Sequence, residues 1–134
     1  MPKYASAIMD GRKTVEFRKG SIPETVKIVV VYASSPVQEV LGYFQVKQIE
    51  MACPSVLWER YGRFGAISRA AFRVYFRGVE TGKALAISCA YRIQSPVRLS
   101  VLGVRPPQSF CYLPSQSWLR LNRMKAHAVH GLKG

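Results

Sequence analysis

Apolar and polar residues alternate with a period of two near the start of the chain, a pattern that predicts a β-strand. Val15 and Phe17 share the face that such a strand turns towards a core. The opposite face carries Thr14, Glu16 and Arg18. The sequence therefore predicts a short strand with an apolar face and a charged face back to back.

Three later stretches also have the character of strands, at residues 26–33, 37–49 and 83–93. The stretch 26–33 is almost continuously apolar, which is typical of a strand buried on both faces, and we expect it at the centre of the sheet. In the stretch 37–49, Gly42 marks a bulge or bend, because glycine weakens regular strand pairing. Together with the first strand, these stretches predict one small sheet.

Helical periodicity appears before and between these strands. Apolar residues at helical spacing indicate an N-terminal helix, which Gly11 can end in a left-handed cap. Ser55 and Ser68 can each cap a helix in the region 54–78, and Gly78 can stop the second one. Strands interrupted by short helices predict an α+β fold, a small mixed β-barrel with helices inserted between its strands.

The charge of the chain is strongly positive and unevenly placed. Its 134 residues include 20 Lys and Arg against 7 Asp and Glu, a net charge of +13, and nothing after Glu80 is acidic. This excess favours a polyanionic partner, for which RNA is our expectation. From Ser117 onwards, basic residues among apolar ones predict either an amphipathic helix or a mobile tail, in which Arg120 and Arg123 add phosphate contacts.

The sequence argues against membrane-spanning, secreted and metal-binding classes. Its longest apolar run, 28–33, is far shorter than the roughly 20 residues of a membrane span. Without a signal-peptide pattern, we expect a cytoplasmic protein whose three widely spaced cysteines are reduced and mostly buried. His127 and His130 have no third ligand nearby, so we expect no metal ion and no cofactor.

Four segments match a known family in order along the chain: residues 2–18, residues 31–36 with Gly42, residues 57–62 with 67–69, and residues 105–110. The most specific is the pattern Gly-x-Lys-x-x-Glu-x-Arg, formed by Gly11, Lys13, Glu16 and Arg18. On these residues the chain resembles the ASCH domain family, small β-barrels of the PUA-like superfamily. Since the resemblance ends near residue 113, we expect an ASCH domain at 1–113 and a basic C-terminal region at 114–134.

The resemblance implies that Lys13, Glu16 and Arg18 line a cleft in the barrel that binds RNA or a modified nucleotide. Taken alone, such charges are more often a surface ion pair, worth about 0–1 kcal/mol. In a cleft, Arg18 offers a planar fork to a phosphate or base edge, Glu16 can accept from an exocyclic amine, and Lys13 adds a point charge. The other predicted nucleic-acid-binding residues are Ser34, Arg105, Arg120 and Arg123.

Enzymatic alternatives within the family would make Lys13 the catalytic residue. Some short members resemble amidohydrolases that deacetylate acetylcytidine with a lysine, a threonine and a glutamate; Lys13 matches the lysine, but the threonine position falls on Glu16. A ribonuclease would use Lys13, Ser34 and Tyr112. A third alternative is a regulatory module that senses a small ligand in transcription or translation control. The broken lysine–threonine pattern and the basic charge favour RNA binding.

Two further expectations concern packing. Aromatic residues at helical spacing should pack in the core and not form an exposed stacking surface; they are Trp58, Tyr61, Phe72, Tyr75 and Phe76. Members similar to this chain have an apolar strand before the segment that corresponds to residues 2–4, and a barrel without that strand would expose a sheet edge.

Overall fold

The computed structural model describes residues 2–20, 22, 26–33, 39–98 and 124–129. Its helices are α1 (Pro2–Met9), α2 (Pro54–Tyr61) and α3 (Arg69–Tyr75), with a 3₁₀ turn at Gly62–Phe64. Its strands are β1 (Val15–Arg18), β2 (Ile28–Ala33), β3 (Glu39–Ala52), β4 (Gly82–Val97) and β5 (Ala126–Ala128).

The strands form one antiparallel sheet in the order β1-β4-β3-β2, with β5 also paired to β4. The two longest strands, β3 and β4, pair over most of their length. Their register shifts between Val40 and Gly42 and again on both sides of Val46, and such irregularities bend and twist a strand. The sheet curls into a half-barrel, which confirms the predicted α+β fold with short helices inserted between strands.

The prediction that the apolar run 26–33 lies at the centre of the sheet was wrong. Its strand, β2, is the last in the described order and pairs with β3. It is buried because α1 packs on it, so that Ile8 and Met9 join Val29 and Val31 in one core cluster. A continuous apolar run indicates burial on both faces, and here a helix supplies that burial to a strand at the end of the sheet.

The helix ends show how far local sequence sets boundaries. Gly11 has a φ of 85° just after α1, the left-handed conformation predicted for its cap. Ser68 caps α3 as predicted, its hydroxyl oxygen accepting a backbone N–H of the first turn at 3.1 Å. The cap predicted at Ser55 was wrong: α2 begins at Pro54 with Cys53 as its N-cap, because the fixed φ of proline suits the first position of a helix.

Aromatic side chains from β1, α2 and α3 pack into a core cluster of their own. The Phe17 ring lies edge-on to Phe72, with 4.9 Å between centroids, and edge-on to Phe76, with 6.3 Å. Trp58 lies 5.1 Å from Phe72. The predicted core packing is confirmed for Phe72 and Phe76, and Trp58 and Tyr61 pack against them as partly buried residues. The cluster holds β1 so that its charged face points away from this core.

The part of the C-terminal region that is described contains a strand. Through Tyr91, Arg92 and Ile93, β4 pairs with β5. The predicted amphipathic helix is therefore wrong at residues 126–128, because strand pairing satisfies their backbone there. Within the C-terminal region 114–134, the structure describes residues 124–129. The predicted boundary between the ASCH domain and this region, at residue 113, therefore stays a prediction. Of the helices that the structure describes, none is long and apolar enough to cross a membrane.

Gly42 lies where α1, β3 and β4 meet, and its lack of a side chain is required there. A β-carbon at this position would overlap the carbonyl oxygen of Tyr91 on β4 and the sulfur of Met9 at the end of α1. The predicted bulge is confirmed by the shift in strand register beside this glycine. The close approach seats α1 against the sheet.

Replacing Gly42 by alanine should lower the free energy of unfolding by about 2–3 kcal/mol, because the added methyl group requires the backbone of β4 to move. Urea denaturation followed by circular dichroism measures the change. Gly20→Ala is the matched control, since no atom lies within 4 Å of the β-carbon position there. Equal stability of the two variants would contradict the close packing at Gly42.

Candidate functional site

A cleft of about 520 Å³ lies between α1, β1 and β2, and we call it the main cleft. Lys13, Glu16 and Arg18 all line it, so the structure brings together the three residues of the predicted row. Tyr4 of α1, Tyr32 of β2 and Tyr75 of α3 also line it, although the Tyr32 side chain belongs to the core cluster on the other face of β2. The cleft therefore combines a charged floor with aromatic walls.

Lys13 is buried at the base of the main cleft, with 2% of its side chain exposed. Its ammonium group donates to the carbonyl oxygen of Gly65 at 2.6 Å and lies 3.8 Å from Glu16 Oε1. The rings of Tyr4 and Phe17 lie 5.4 and 5.8 Å from the same nitrogen, within the range of cation–π attraction. The buried charge is thus compensated by an acceptor, a carboxylate and two aromatic faces.

Main-chain hydrogen bonds fix the segment between α1 and β1. The Lys13 N–H donates to the Ala7 carbonyl at 3.0 Å, and the Thr14 N–H donates to the Phe64 carbonyl at 2.9 Å. The Thr14 carbonyl accepts from the Ile87 N–H at 3.0 Å. Thr14 therefore serves the fold through its backbone, and it does not line the main cleft.

Glu16 and Lys13 have pKa values displaced by the same burial. Loss of solvent raises the pKa of Glu16, while the charges of Lys13 and Arg18 oppose this rise. Burial lowers the pKa of Lys13, and the Glu16 carboxylate opposes that fall. Because 14% of the Glu16 side chain is exposed, a ligand in the cleft can still reach the carboxyl group. Burial therefore moves the pKa values of the two groups towards each other.

The rim of the main cleft carries two further cations. Arg18 is half-buried on β1, and Lys19 follows it at an exposed position. The Lys19 ammonium lies 4.8 Å from the centre of the Tyr75 ring, and the Lys19 N–H donates to the Tyr75 hydroxyl oxygen at 3.2 Å. Burial raises the pKa of Tyr75, which keeps the phenol neutral. An anion and a planar ring can both be held here.

Sequence reasoning missed several residues of this site. Tyr4 and Tyr32 fit helix and strand periodicity, which gives no sign that these residues line a cleft. Tyr75 fits the core pattern of α3 and also lines the cleft. Gly65 accepts the Lys13 hydrogen bond through its main-chain carbonyl, and the identity of a residue gives no sign of such a contact. Lys19 had a visible signal, since it follows Arg18 in the same basic segment.

Other predicted site residues lie outside the part of the chain that the structure describes. They are Ser34, Arg105, Arg120 and Arg123, together with Tyr112. Their proposed contacts with nucleic acid, and the ribonuclease role suggested for Ser34 and Tyr112, stay predictions.

Within residues 2–20, 22, 26–33, 39–98 and 124–129, no group of three or more His, Cys, Asp or Glu side chains could hold a metal ion. Cys53 and Cys89 are both free thiols, but Cys53 is exposed, so the expected burial is wrong at that residue. Cys53 is the N-cap of α2 and lies at the surface.

Comparison with known proteins gives matches over most of the chain. Residues 1–91 match the family model of the ASCH domain. An ASCH domain-containing ribonuclease of Zymomonas mobilis is 33% identical over 126 residues, which make up 90% of this chain and 84% of that protein. The large ribosomal subunit protein uL22 of Ureaplasma parvum is 32% identical over 114 residues, which make up 84% of this chain but 37% of that protein.

Solved structures show the same similarity. The crystal structure of ASCH from Zymomonas mobilis matches with a TM-score of 0.82 and 31% identity, covering 92% of this chain and 91% of that one. A mutant form of the Zymomonas mobilis protein matches with a TM-score of 0.81 and 32% identity, covering 92% and 94% of the two chains.

Replacing Lys13 by methionine should destabilise the fold by about 3 kcal/mol, because it leaves the Glu16 carboxylate without its nearest cation and the Gly65 carbonyl without a donor. The double variant that also carries Glu16→Gln should lose less stability than the two single variants lose together. The difference, the coupling free energy of the pair, should be about 1 kcal/mol or more. Urea denaturation at pH 7 measures the cycle. The exposed pair Asp10 and Arg12 is the matched control and should show a much smaller coupling. Additive costs at Lys13 and Glu16 would contradict their pairing.

The Glu16 carboxyl group should titrate above its ordinary pKa of 4.5, and Lys13→Met should raise its pKa further by removing a charge that lowers it. Carbon-detected NMR of the side-chain carboxyl follows this titration directly. The folded state keeps this proton to a higher pH than the unfolded state does. The contribution of Glu16 to the free energy of unfolding should therefore fall as pH rises from about 4.5 through the folded pKa. A Glu16 midpoint at or below 4.5 would refute the burial effect.

Proposed function

Because this chain belongs to the ASCH domain family, we propose that it binds RNA and holds one nucleotide, natural or modified, in the main cleft. The observation that carries the proposal is the Lys13–Glu16 pair, buried at the floor of a cleft whose rim carries Arg18 and Lys19. Burying charges is costly, and displaced pKa values in a cleft are characteristic of functional sites.

Each part of a nucleotide has a matching group in the main cleft. A phosphate fits the planar fork of Arg18 and the ammonium group of Lys19 at the rim. A base can stack on the rings of Tyr4 and Tyr75, and such stacking does not depend on the identity of the base. Glu16 can exchange a hydrogen bond with the edge of that base. The net charge of +13 adds long-range attraction for the RNA backbone.

The geometry favours RNA binding over amidohydrolase activity. The position that holds a threonine in acetylcytidine amidohydrolases is occupied by Glu16, and the nearby Thr14 does not line the main cleft. A glutamate has no hydroxyl group, so Glu16 cannot take the place of a hydroxyl nucleophile. RNA binding requires no such nucleophile.

The proposal extends to parts of the chain beyond the main cleft. We assign the basic region 114–134 a supporting role, in which Arg120 and Arg123 add phosphate contacts that do not depend on RNA sequence. We also propose a cytoplasmic location and a part in transcription or translation control. The strongly basic composition and the ASCH family membership support these assignments.

Arg18→Ala should weaken RNA binding by about tenfold or more, since a charge-assisted contact to phosphate or base is worth about 1–3 kcal/mol. Fluorescence anisotropy with a labelled single-stranded RNA, at one fixed salt concentration, measures the loss. Arg73→Ala removes the same charge from an exposed position on α3 outside the main cleft, and it is the matched control. Equal affinities of the two variants, with folding intact, would refute the cleft as the binding site.

Ribonuclease activity in the same cleft is a second candidate. The similarity to the Zymomonas mobilis ribonuclease favours it, and so does the displaced acid–base pair. In this mechanism Glu16 accepts the proton of a 2′-hydroxyl whose oxygen attacks phosphorus, while Arg18 neutralises the phosphate. The bond to the 5′-oxygen breaks, and Lys13 donates a proton to that oxygen, since its lowered pKa makes the ammonium group a better acid.

If the chain cleaves RNA, Glu16→Gln should lower the cleavage rate by about 100-fold or more, because the amide cannot accept the proton. RNA affinity should change little, since the amide oxygen still accepts a hydrogen bond. Gel analysis of a labelled RNA, beside its 2′-deoxy counterpart, measures cleavage, and Glu59→Gln on the exposed face of α2 is the matched control. Cleavage of the 2′-deoxy substrate would refute this mechanism. If the unmodified chain cleaves no RNA, the ribonuclease candidate is refuted and RNA binding is the remaining proposal.

A further inference from the structure

A second pocket of about 330 Å³ adjoins the main cleft. Tyr4 and Ile67 line both cavities, and we call these two residues the ridge between them. The remaining wall comes from the first turns of α1, from Arg12, and from the segment that leads into α3. A chain-like ligand can therefore run from one cavity to the other across a short ridge.

The second pocket is basic. Lys3 and Arg12 line it, and none of the described residues that line it is acidic. The Arg12 guanidinium forms an ion pair with the Asp10 carboxylate, with 2.9 Å between Nη2 and Oδ2. Among the described contacts, Lys3 lies over the Tyr4 ring and has no carboxylate partner. Ser68 accepts a backbone N–H, so its own hydroxyl hydrogen can still be donated to an anion. These groups suit a phosphate.

One turn serves both cavities. Ala66 has a φ of +49°, the one left-handed non-glycine residue among those described. Its neighbour Gly65 accepts the hydrogen bond of Lys13 at the floor of the main cleft, and its neighbour Ile67 forms part of the ridge. Such backbone conformations persist only where the surroundings enforce them, and they concentrate at functional sites. The turn therefore borders both cavities.

We propose that the second pocket holds the nucleotide next to the one in the main cleft, with its phosphate against Lys3 and Arg12. This inference rests on the proposed function and specifies its ligand: single-stranded RNA of at least two nucleotides, not a free nucleoside or mononucleotide. The RNA chain crosses the ridge of Tyr4 and Ile67. Single-stranded RNA fits because its bases can leave the stack and enter separate cavities, whereas paired bases cannot.

The test compares ligands that differ by one nucleotide. A short fluorescent RNA of mixed sequence is bound to the full chain and then displaced by pNp, a nucleoside bisphosphate, or by pNpNp, each as an equal mixture of the four bases. The dinucleotide should compete about tenfold better than pNp, because it adds one stacked base and one phosphate contact.

Lys3→Ala should remove most of this gain and leave competition by pNp unchanged. It should also reduce the slope of log affinity against log salt by about 0.7, the change expected for one lost phosphate contact to a single strand. Lys47→Ala, at an exposed position on β3 outside both cavities, is the matched control and should keep the gain.

Two distinct results would count against the inference. Equal competition by pNp and pNpNp, or a gain that survives Lys3→Ala, overturns the second pocket as a nucleotide site while RNA binding in the main cleft stands. No binding of the fluorescent RNA, or an unchanged affinity in Arg18→Ala, overturns the proposed function and this inference with it.

Discussion

The buried ammonium group of Lys13 is the interaction on which the rest of the site depends. With 2% of its side chain exposed, Lys13 has lost almost all contact with water, and its charge relies on Glu16 and the Gly65 carbonyl. These partners come from separate parts of the fold: Lys13 follows α1, Glu16 lies on β1, and Gly65 follows the 3₁₀ turn. Displacing any of them leaves a buried charge uncompensated, so the interaction couples these elements into one unit.

Packing behind β1 decides which way the charged side chains point. Phe17 is held in the aromatic cluster with Phe72 and Phe76, and side chains alternate along a strand. Glu16 and Arg18 are therefore turned to the cleft side. The helical segment between β3 and β4 thus has two roles, since it supplies the aromatic support and also the turn that binds Lys13 and borders both cavities.

The resemblance to the ASCH family that the sequence suggests is confirmed by the family match over residues 1–91 and by the solved structure from Zymomonas mobilis. The two candidate functions draw on the same groups of the main cleft. Binding uses Arg18 as a phosphate contact, and Glu16 and Lys13 as fixed polar groups; cleavage uses the displaced pKa values of Glu16 and Lys13 in addition. Binding and cleavage differ in where the RNA phosphodiester lies, because cleavage requires it beside the Glu16 carboxylate.

The sequence by itself determined features that depend on neighbours along the chain. The two faces of β1, the left-handed turn at Gly11 and the cap at Ser68 all follow from local geometry. The family pattern also identified Lys13, Glu16 and Arg18 as residues of one cleft, although their role there remains a proposal.

Only the tertiary structure decided the features that depend on residues far apart in sequence. Distant pairing partners set the position of β2 at the end of the described strand order and the strand at residues 126–128, and periodicity does not contain those partners. The same holds for Lys13. In the sequence it is a lysine near a glutamate, the pattern of an exposed ion pair. Folding removes the water and brings up Gly65 from 52 residues away, and this burial is what displaces the pKa values of the pair.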